Sequence, residues 1–295
     1  MSTNTAVANR SVQLNPELAG KLVRPGDERF DQVRSAWNLA VDQQPAAVIL
    51  AETAEDVRAA VRLAAECRLQ IAAQGTGHNA APLGPLGDTV LLKTERMRGI
   101  RIDPAARIAR VEAGVVWLEV VEAAARYGLA GLAGSSPDVG VVGYTLGGGL
   151  SFLGRKYGLA ASQVHAVELV TADGRLVRAD REHEPDLFWA LRGGGGSFGI
   201  VTAIEFGLFP VRHVYAGLLW YPIERGSEVV HAWRELTQAE PPDELTTIGR
   251  FLQFPPIPEI PAEVRGRSFA VVEVIHLGDP GQVDKLLCPR AAAGQ

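Results

Sequence analysis

The sequence predicts a mixed α+β fold on three observations. A strand–helix–strand pattern runs from Ala46 to Ala73, a hairpin signal surrounds Asp173-Gly174, and an alternating apolar run covers Ile200 to Phe206, with amphipathic helical stretches between them. In chain order, residues 1–20 are a polar lead-in. Ala46 to Leu50 reads as a short buried strand. Thr53 follows as a helix N-cap, with Glu55 and Asp56 in the first turn, where negative charge meets the positive end of the helix dipole. Val57, Val61 and Ala64 share one face of that helix at helical spacing. A second strand, Leu69 to Ala73, leads into a glycine loop, Gln74-Gly75-Thr76-Gly77-His78-Asn79. Thr89 to Leu92 and Ala109 to Glu112 read as further strands, and Trp117 to Tyr127 as a helix closed by Gly128. Val167 to Val170 and Leu176 to Ala179 flank Asp173-Gly174, where both residues accept positive φ and so suit a tight hairpin turn. Asp186 to Leu191 is a short helix.

After Pro210 the pattern changes. Leu218 to Tyr221 reads as a strand and Ser227 to Leu236 as a helix. Pro241, Pro242, Pro255, Pro256, Pro258 and Pro261 then break the chain before a strand at Phe269 to Ile275 and a short helix after Gly278-Asp279-Pro280-Gly281. The expected organisation is a lead-in (1–20), a main domain (21–212) and a second domain (213–295) with too few strands to cover its own sheet.

The 295 residues suffice for one large or two modest domains, and 47% hydrophobic with 21% charged residues allow a sizeable core. The net charge of −5, with Lys and Arg scattered, argues against a nucleic-acid partner, which needs a concentrated basic surface. Two cysteines, Cys67 and Cys288, do not make a disulfide framework and suggest a reducing compartment. The polar N-terminal residues lack the apolar core of a signal peptide, and no run is long enough to span a bilayer. A cytoplasmic protein without a membrane partner is expected.

Three segments carry candidate chemistry. In the loop from Gln74 to Asn79, glycines let the backbone approach a ligand and turn N–H groups toward an anion. The same hexapeptide also makes an ordinary strand-to-loop turn with an exposed histidine. Gly134-Ser135-Ser136-Pro137-Asp138-Val139-Gly140-Val141-Val142-Gly143-Tyr144, running on to Gly147-Gly148-Gly149, is a poor interior for a helix or strand. It suits backbone laid along a flat ligand, or a buried crossover of two chain segments. Gly193 to Gly199 ends a helix and frees the backbone for close contact, unless it is a flexible linker. Neither a dinucleotide fingerprint nor a P-loop is present in the required context. His165, His183, His213, His231 and His276 lack metal-ligand spacing, so no metal site is expected. Ser135 and Ser136 are not in a nucleophile elbow, and Asp138 reads as a turn residue rather than a catalytic acid.

Five collinear pieces between Leu22 and Pro210 carry a family likeness: Val23-Arg24-Pro25-Gly26-Asp27 with Trp37-Asn38, Gly75-Thr76-Gly77-His78, Val139-Gly140 with Gly147-Gly148-Gly149, Arg155-Lys156-Tyr157-Gly158-Leu159, and Asp186-Leu187-Phe188-Trp189-Ala190-Leu191-Arg192-Gly193-Gly194-Gly195. Together they resemble the FAD-linked oxidases of the vanillyl-alcohol oxidase / p-cresol methylhydroxylase superfamily, in the berberine bridge enzyme-like branch. The resemblance implies a two-subdomain FAD-binding domain of the PCMH type, followed by an incomplete antiparallel-sheet substrate domain. It implies that the loop Gln74, Gly75, Thr76, Gly77, His78, Asn79 wraps the pyrophosphate with backbone N–H groups and needs no lysine.

By the same resemblance, Ser135, Ser136, Val139, Gly140, Gly143, Tyr144, Gly147, Gly148, Gly149, Gly199, Ile200 and Val201 line the cofactor. His78 matches the histidine bonded covalently to the flavin. Ser136 stands where many relatives have a second, cysteine link, so attachment at His78 alone is implied. Tyr144 stands near the pyrimidine end of the ring, and Val139 at an oxygen gate. The implied reaction passes a hydride from a small-molecule substrate to flavin N5 and the electrons to O2. Family members run on well beyond this length, which makes the chain read as C-terminally truncated. The competing expectation is therefore a non-catalytic FAD-binding remnant without a complete substrate pocket. No catalytic base is assigned.

Overall fold

The computed structural model describes residues 16–279 together with Gly281 and Val283. These fall into two compact units. One takes in the residues up to Ser151 and Leu159–Pro210; the other takes in Phe152–Gly158 and the residues from Val211 onward.

The first unit opens with β1 (Leu22–Val23), α1 (Phe30–Arg34), β2 (Ala47–Leu50), α2 (Ala54–Cys67), β3 (Gln70–Gln74) and β4 (Thr89–Lys93). The strands form a sheet in the order β1-β2-β4-β3, with β4 parallel to both β2 and β3. Helix α2 starts where the sequence places its cap. The Asp56 N–H donates to Thr53 Oγ1 (3.2 Å) and the Thr53 N–H to Asp56 Oδ2 (3.0 Å), satisfying two donors that the first turn leaves unpaired. Arg68, at φ 56°, ends it. Val57, Val61 and Ala64 are buried against Ile49, Val90 and Leu92 in one core cluster. In the parallel pair, Gln74 stands opposite Lys93, so Lys93 comes to the start of the glycine loop.

Next come β5 (Ile100–Asp103), β6 (Ile108–Glu112), α3 (Trp117–Ala125), α4 (Val141–Leu146), α5 (Gly154–Tyr157, in the second unit), β7 (Val164–Val170), β8 (Leu176–Asp180), α6 (Pro185–Gly194) and β9 (Ile200–Gly207). Five strands make an antiparallel sheet ordered β5-β6-β9-β7-β8. Trp117, Val120, Val141, Leu146, Phe188 and Leu191 pack from α3, α4 and α6 into its core. Val170 and Ile200 instead join the core of the first sheet, which ties the two layers of the unit together.

In the second unit, β10 (Tyr215–Pro222), α7 (Gly226–Gln238), β11 (Leu245–Gln253) and β12 (Ser268–His276) form a three-stranded antiparallel sheet, ordered β10-β12-β11, with α7 packed on it through Val229 and Trp233. Helix α5 belongs here: Arg155 Nη2 donates to Pro241 O (2.8 Å) and Lys156 Nζ to Glu244 Oε1 (2.9 Å).

Several expectations need correction. The hairpin does not close on a two-residue turn. Only Gly174 has positive φ (+80°), and the bonds Gly174 N–H to Thr171 O (2.9 Å) and Thr171 N–H to Arg175 O (3.0 Å) make a longer loop, with Asp173 accepting from Thr171 and Arg175. The glycine segment from 134 to 149 holds a helix, α4, because burial of Val141, Thr145 and Leu146 outweighs the poor helix propensity of Gly143. Helix α6 runs on into the glycines with a kink at Arg192 and Gly193. Strand β11 lies between prolines and carries Gly249, which hid it; an added Cβ there would meet the Trp233 ring at 3.1 Å, so the glycine makes room for the helix above. The short helix expected after Gly281, and Cys288, lie outside the described residues.

Candidate functional site

Two of the three glycine runs meet. The loop after β3 brings Thr76 against Gly140, where an added Cβ would lie 3.8 Å from the Thr76 side chain. Segment 137–141 is fixed to α3 by backbone bonds from Trp117 N–H to Val139 O (3.0 Å), Leu118 N–H to Pro137 O (2.9 Å) and Val141 N–H to Val115 O (3.0 Å). The third run lies against α4, the helix that this segment leads into: the turn Gly195–Phe198 contacts it. Gly199 approaches Val170 O, where a Cβ would come within 2.6 Å of the carbonyl, and the side chains of Ile200 and Val201 are buried in the two cores.

His78 sits at the junction. Its Nδ1 pairs with Thr76 Oγ1 (2.8 Å), and its ring stacks on the Trp37 indole, with centroids 4.1 Å apart and planes 17° from parallel. The Trp37 Nε1–H donates to Asp138 Oδ2 (2.8 Å), and Asp138 Oδ1 lies 3.8 Å from His78 Nε2. The latter nitrogen is buried and makes no hydrogen bond. Trp37 is held in turn by its backbone N–H, which donates to Thr76 O (3.0 Å).

A buried polar network lies beneath the loop. Lys93, 4% exposed, donates through Nζ to Gln74 Oε1 (2.9 Å) and Ser35 O (3.0 Å); Gln74 Nε2 donates to Gln43 Oε1 (2.9 Å) and Gln43 Nε2 to Ala80 O (3.3 Å). Burial holds the Lys93 ammonium below the usual lysine range. Gln74 is thus a structural member of the site, its side chain turned inward. The sequence reading has no lysine at the loop. Lys93 comes up from β4 beneath the loop with its ammonium engaged by protein oxygens, and the signal for it was a lysine closing the apolar run Thr89-Val90-Leu91-Leu92. Gly77 is a glycine for two reasons: its φ is +84°, and a Cβ would come within 2.9 Å of Ala36 Cβ. Gly75 lies beside Ala113 O and Thr94. Among the described residues, the N–H groups of Thr76, Gly77 and His78 donate to no protein acceptor.

Tyr144 is packed between glycines. A Cβ on Gly134 would lie 2.9 Å, and one on Gly149 2.7 Å, from its ring, and Trp117 meets it edge-on at 5.5 Å. Its buried hydroxyl makes no hydrogen bond, and burial pushes its pKa up to about 12, so it stays a donor at neutral pH. Around Gly143 and Gly148 the space a side chain would fill is open, and Gly147 caps α4. Ser135, Ser136 and Asn79 are exposed.

These features fit a large planar cofactor with an anionic tail. His78 Nε2 and Tyr144 Oη are buried without a partner, the backbone at Gly143 and Gly148 is open, and the loop that carries His78 has free N–H groups. Among the described residues, no group of three or more His, Cys, Asp or Glu could hold a metal ion, and no helix is long and apolar enough to cross a membrane.

Comparison with known proteins agrees. A family described as an FAD binding domain matches residues 45–180. (R)-6-hydroxynicotine oxidase of Paenarthrobacter nicotinovorans is 36% identical over 207 residues, covering 70% of this chain and 45% of that protein. The crystal structure of 6-hydroxy-D-nicotine oxidase from Arthrobacter nicotinovorans superposes with a TM-score of 0.83 at 28% identity, over 97% of this chain and 61% of that one. A variant of BBE-like 1 of Physcomitrella patens gives 0.82 at 25% identity, over 95% and 59%. The chain thus spans about half the length of the curated relatives it matches. Its α+β layers, its glycine runs and these likenesses agree: the chain belongs to the FAD-binding oxidoreductases of the vanillyl-alcohol oxidase / p-cresol methylhydroxylase superfamily, in the berberine bridge enzyme-like branch.

Proposed function

We propose that this protein is an FAD-dependent oxidase with the cofactor attached covalently at His78. The observation that carries the reading is the convergence of the Gln74–Asn79 loop and the Val139–Gly149 segment around two unpartnered buried donors or acceptors, His78 Nε2 and Tyr144 Oη. Bound FAD would supply the redox chemistry, taking a hydride at N5 from a small-molecule substrate and passing two electrons to O2 to give H2O2.

The chain's own residues position and polarise. The free N–H groups of Thr76, Gly77 and His78 form an anion-binding concavity for a pyrophosphate, a task that needs no side-chain cation. The Tyr144 hydroxyl, held protonated by burial, donates to negative charge on a reduced ring but cannot carry a full positive charge. Val139, partly buried against the core that α3 and α4 share, has a small side chain, in keeping with O2 access. Ser136 lacks the sulfur for a thioether, so one attachment point is expected. A cytoplasmic location, with no nucleic-acid or membrane partner, completes the reading.

Purified protein tests it directly. A yellow colour with flavin absorbance bands that survive acid precipitation supports attachment, and His78→Ala should make the flavin extractable. A protein that takes up no added FAD overturns the proposal. Peroxide release on screening alcohols, sugars and amines identifies the substrate class.

A further inference from the structure

We propose that Asp138 is the positioning residue for His78, holding the imidazole proton on Nε2 and leaving Nδ1 as the nitrogen that bonds the flavin. The inference rests on the FAD reading above and deepens it. Three geometric facts carry it. The Asp138 carboxylate is pinned by the Trp37 indole N–H, which donates to Oδ2 at 2.8 Å. Its other oxygen, Oδ1, faces His78 Nε2 at 3.8 Å. The Trp37 ring covers one face of the imidazole, so the ring cannot turn away without breaking the stack.

An imidazole beside a fixed carboxylate has two neutral arrangements. With the proton on Nδ1, the lone pair of Nε2 faces the carboxylate and is repelled. With the proton on Nε2, an N–H points at the carboxylate, and the Nδ1 lone pair accepts the hydrogen bond of the Thr76 hydroxyl at 2.8 Å. The second arrangement gives Nδ1 its hydrogen bond and turns an N–H rather than a lone pair toward the carboxylate, which at 3.8 Å acts by charge and not by a hydrogen bond. Bond formation then balances. The Thr76 hydroxyl first releases the Nδ1 lone pair; Nδ1 then joins the carbon of the flavin C8 methyl, one C–H bond of that methyl breaks, and the Nε2 proton leaves toward Asp138. The two electrons released pass through the flavin to O2, which with the two protons becomes H2O2.

Three measurements on the full chain test this. The first is the nitrogen shifts of the imidazole in FAD-free protein, which report the tautomer. The expected signature is a protonated Nε2 and an unprotonated Nδ1 in the unaltered protein, and a mixture in Asp138→Asn, which keeps the size and an acceptor for Trp37 but loses the charge. The second is the rate at which added FAD becomes resistant to denaturation, read as flavin fluorescence on a denaturing gel. Asp138→Asn should be slowed at least tenfold while reversible FAD binding changes by less than threefold, and Asp138→Glu should restore part of the rate. The third is the identity of the linked nitrogen in a flavin peptide, expected to be Nδ1. Attachment at an unchanged rate in Asp138→Asn, or a link at Nε2, overturns the proposal while leaving FAD binding intact. Unaltered protein that binds no FAD, or binds it only reversibly, fails at the earlier reading, and the proposal falls with it. If Asp138→Asn does not fold, the tautomer and linkage measurements on the unaltered protein decide the matter alone.

Discussion

Lys93 Nζ lies 2.9 Å from Gln74 Oε1, so a buried ammonium anchors the first residue of the loop that carries His78. The same nitrogen reaches Ser35 O, two residues before Trp37. One side chain therefore ties together the two segments that form the Trp37–His78 stack. Lys93→Met keeps the stem and removes the donors, leaving the buried Gln74 side-chain oxygen unpaired and the Ser35 carbonyl without this partner. The expected cost is about 2 kcal/mol in chemical denaturation, with a weaker stack seen as altered Trp37 fluorescence. The pH dependence has a definite sign. The folded-state value lies below the ordinary 10.5, so between the two the unfolded chain binds more protons and stability rises with pH. That rise should vanish in Lys93→Met; an unchanged slope would show that the ammonium is not buried in solution.

The capping box on α2 predicts a graded loss. Thr53→Ala removes one hydrogen bond and should cost about 1 kcal/mol. Asp56 does more: it accepts from Lys21 Nζ (2.7 Å) and from the N–H groups of Glu52 (2.9 Å) and Thr53 (3.0 Å). Burial works to raise its pKa, but these partners outweigh it and the net shift is downward. Its contribution is thus present above the ordinary value of 3.8 and is lost as pH falls through the lower folded-state value. Asp56→Asn should destabilise at neutral pH and flatten the acid limb of the stability curve. Equal acid sensitivity in the two proteins would rule out this role.

Local signals were legible in the sequence where one residue fixes one feature. Thr53 announced the start of α2, and the glycines around His78 and Tyr144 marked the site. What could not be read is where two distant segments meet. Lys93 looked like the polar end of an apolar strand, and only the parallel register with β3 puts it under the loop. Asp138 read as a turn residue, and a turn residue it is; its partners, Trp37 and His78, are 101 and 60 positions away in the chain. The glycines at 134 and 149 both make room for the Tyr144 ring, which their sequence neighbourhood did not indicate. The chemistry of a glycine, which consists of having no side chain, leaves the occupant of the space unspecified.

Gly77→Ala should be among the most damaging single-methyl changes in the chain. The position combines φ of +84° with a Cβ 2.9 Å from Ala36 Cβ and 3.1 Å from Gln74 Cδ. Left-handed backbone alone costs an alanine about 1 kcal/mol, and the clash with a packed neighbour adds to it. A loss of about 2–3 kcal/mol is expected by chemical denaturation, together with loss of acid-stable flavin, because His78 is the next residue. Gly20→Ala, also at positive φ (+74°) but with open space around it, serves as the control and should show the backbone cost without the flavin effect.

Tyr144→Phe separates the phenol's two roles. In FAD-free protein its hydroxyl is buried without a partner, so removing it should raise stability by roughly 1 kcal/mol. The unaltered protein should also lose stability in alkali through this group. Its folded-state pKa is about 12 against an ordinary 10, so between those values the unfolded chain has released a proton that the folded chain still holds. The slope is at most about 1.4 kcal/mol per pH unit over that window, and Tyr144→Phe should abolish it. This window falls largely above that of Lys93 and has the opposite sign, so the two variants are distinguishable in one titration series. With FAD bound the order should reverse. If the hydroxyl donates to the reduced ring, Tyr144→Phe lowers the flavin's reduction potential relative to unaltered protein. A potential that does not move would assign the phenol to packing against Gly134 and Gly149 alone.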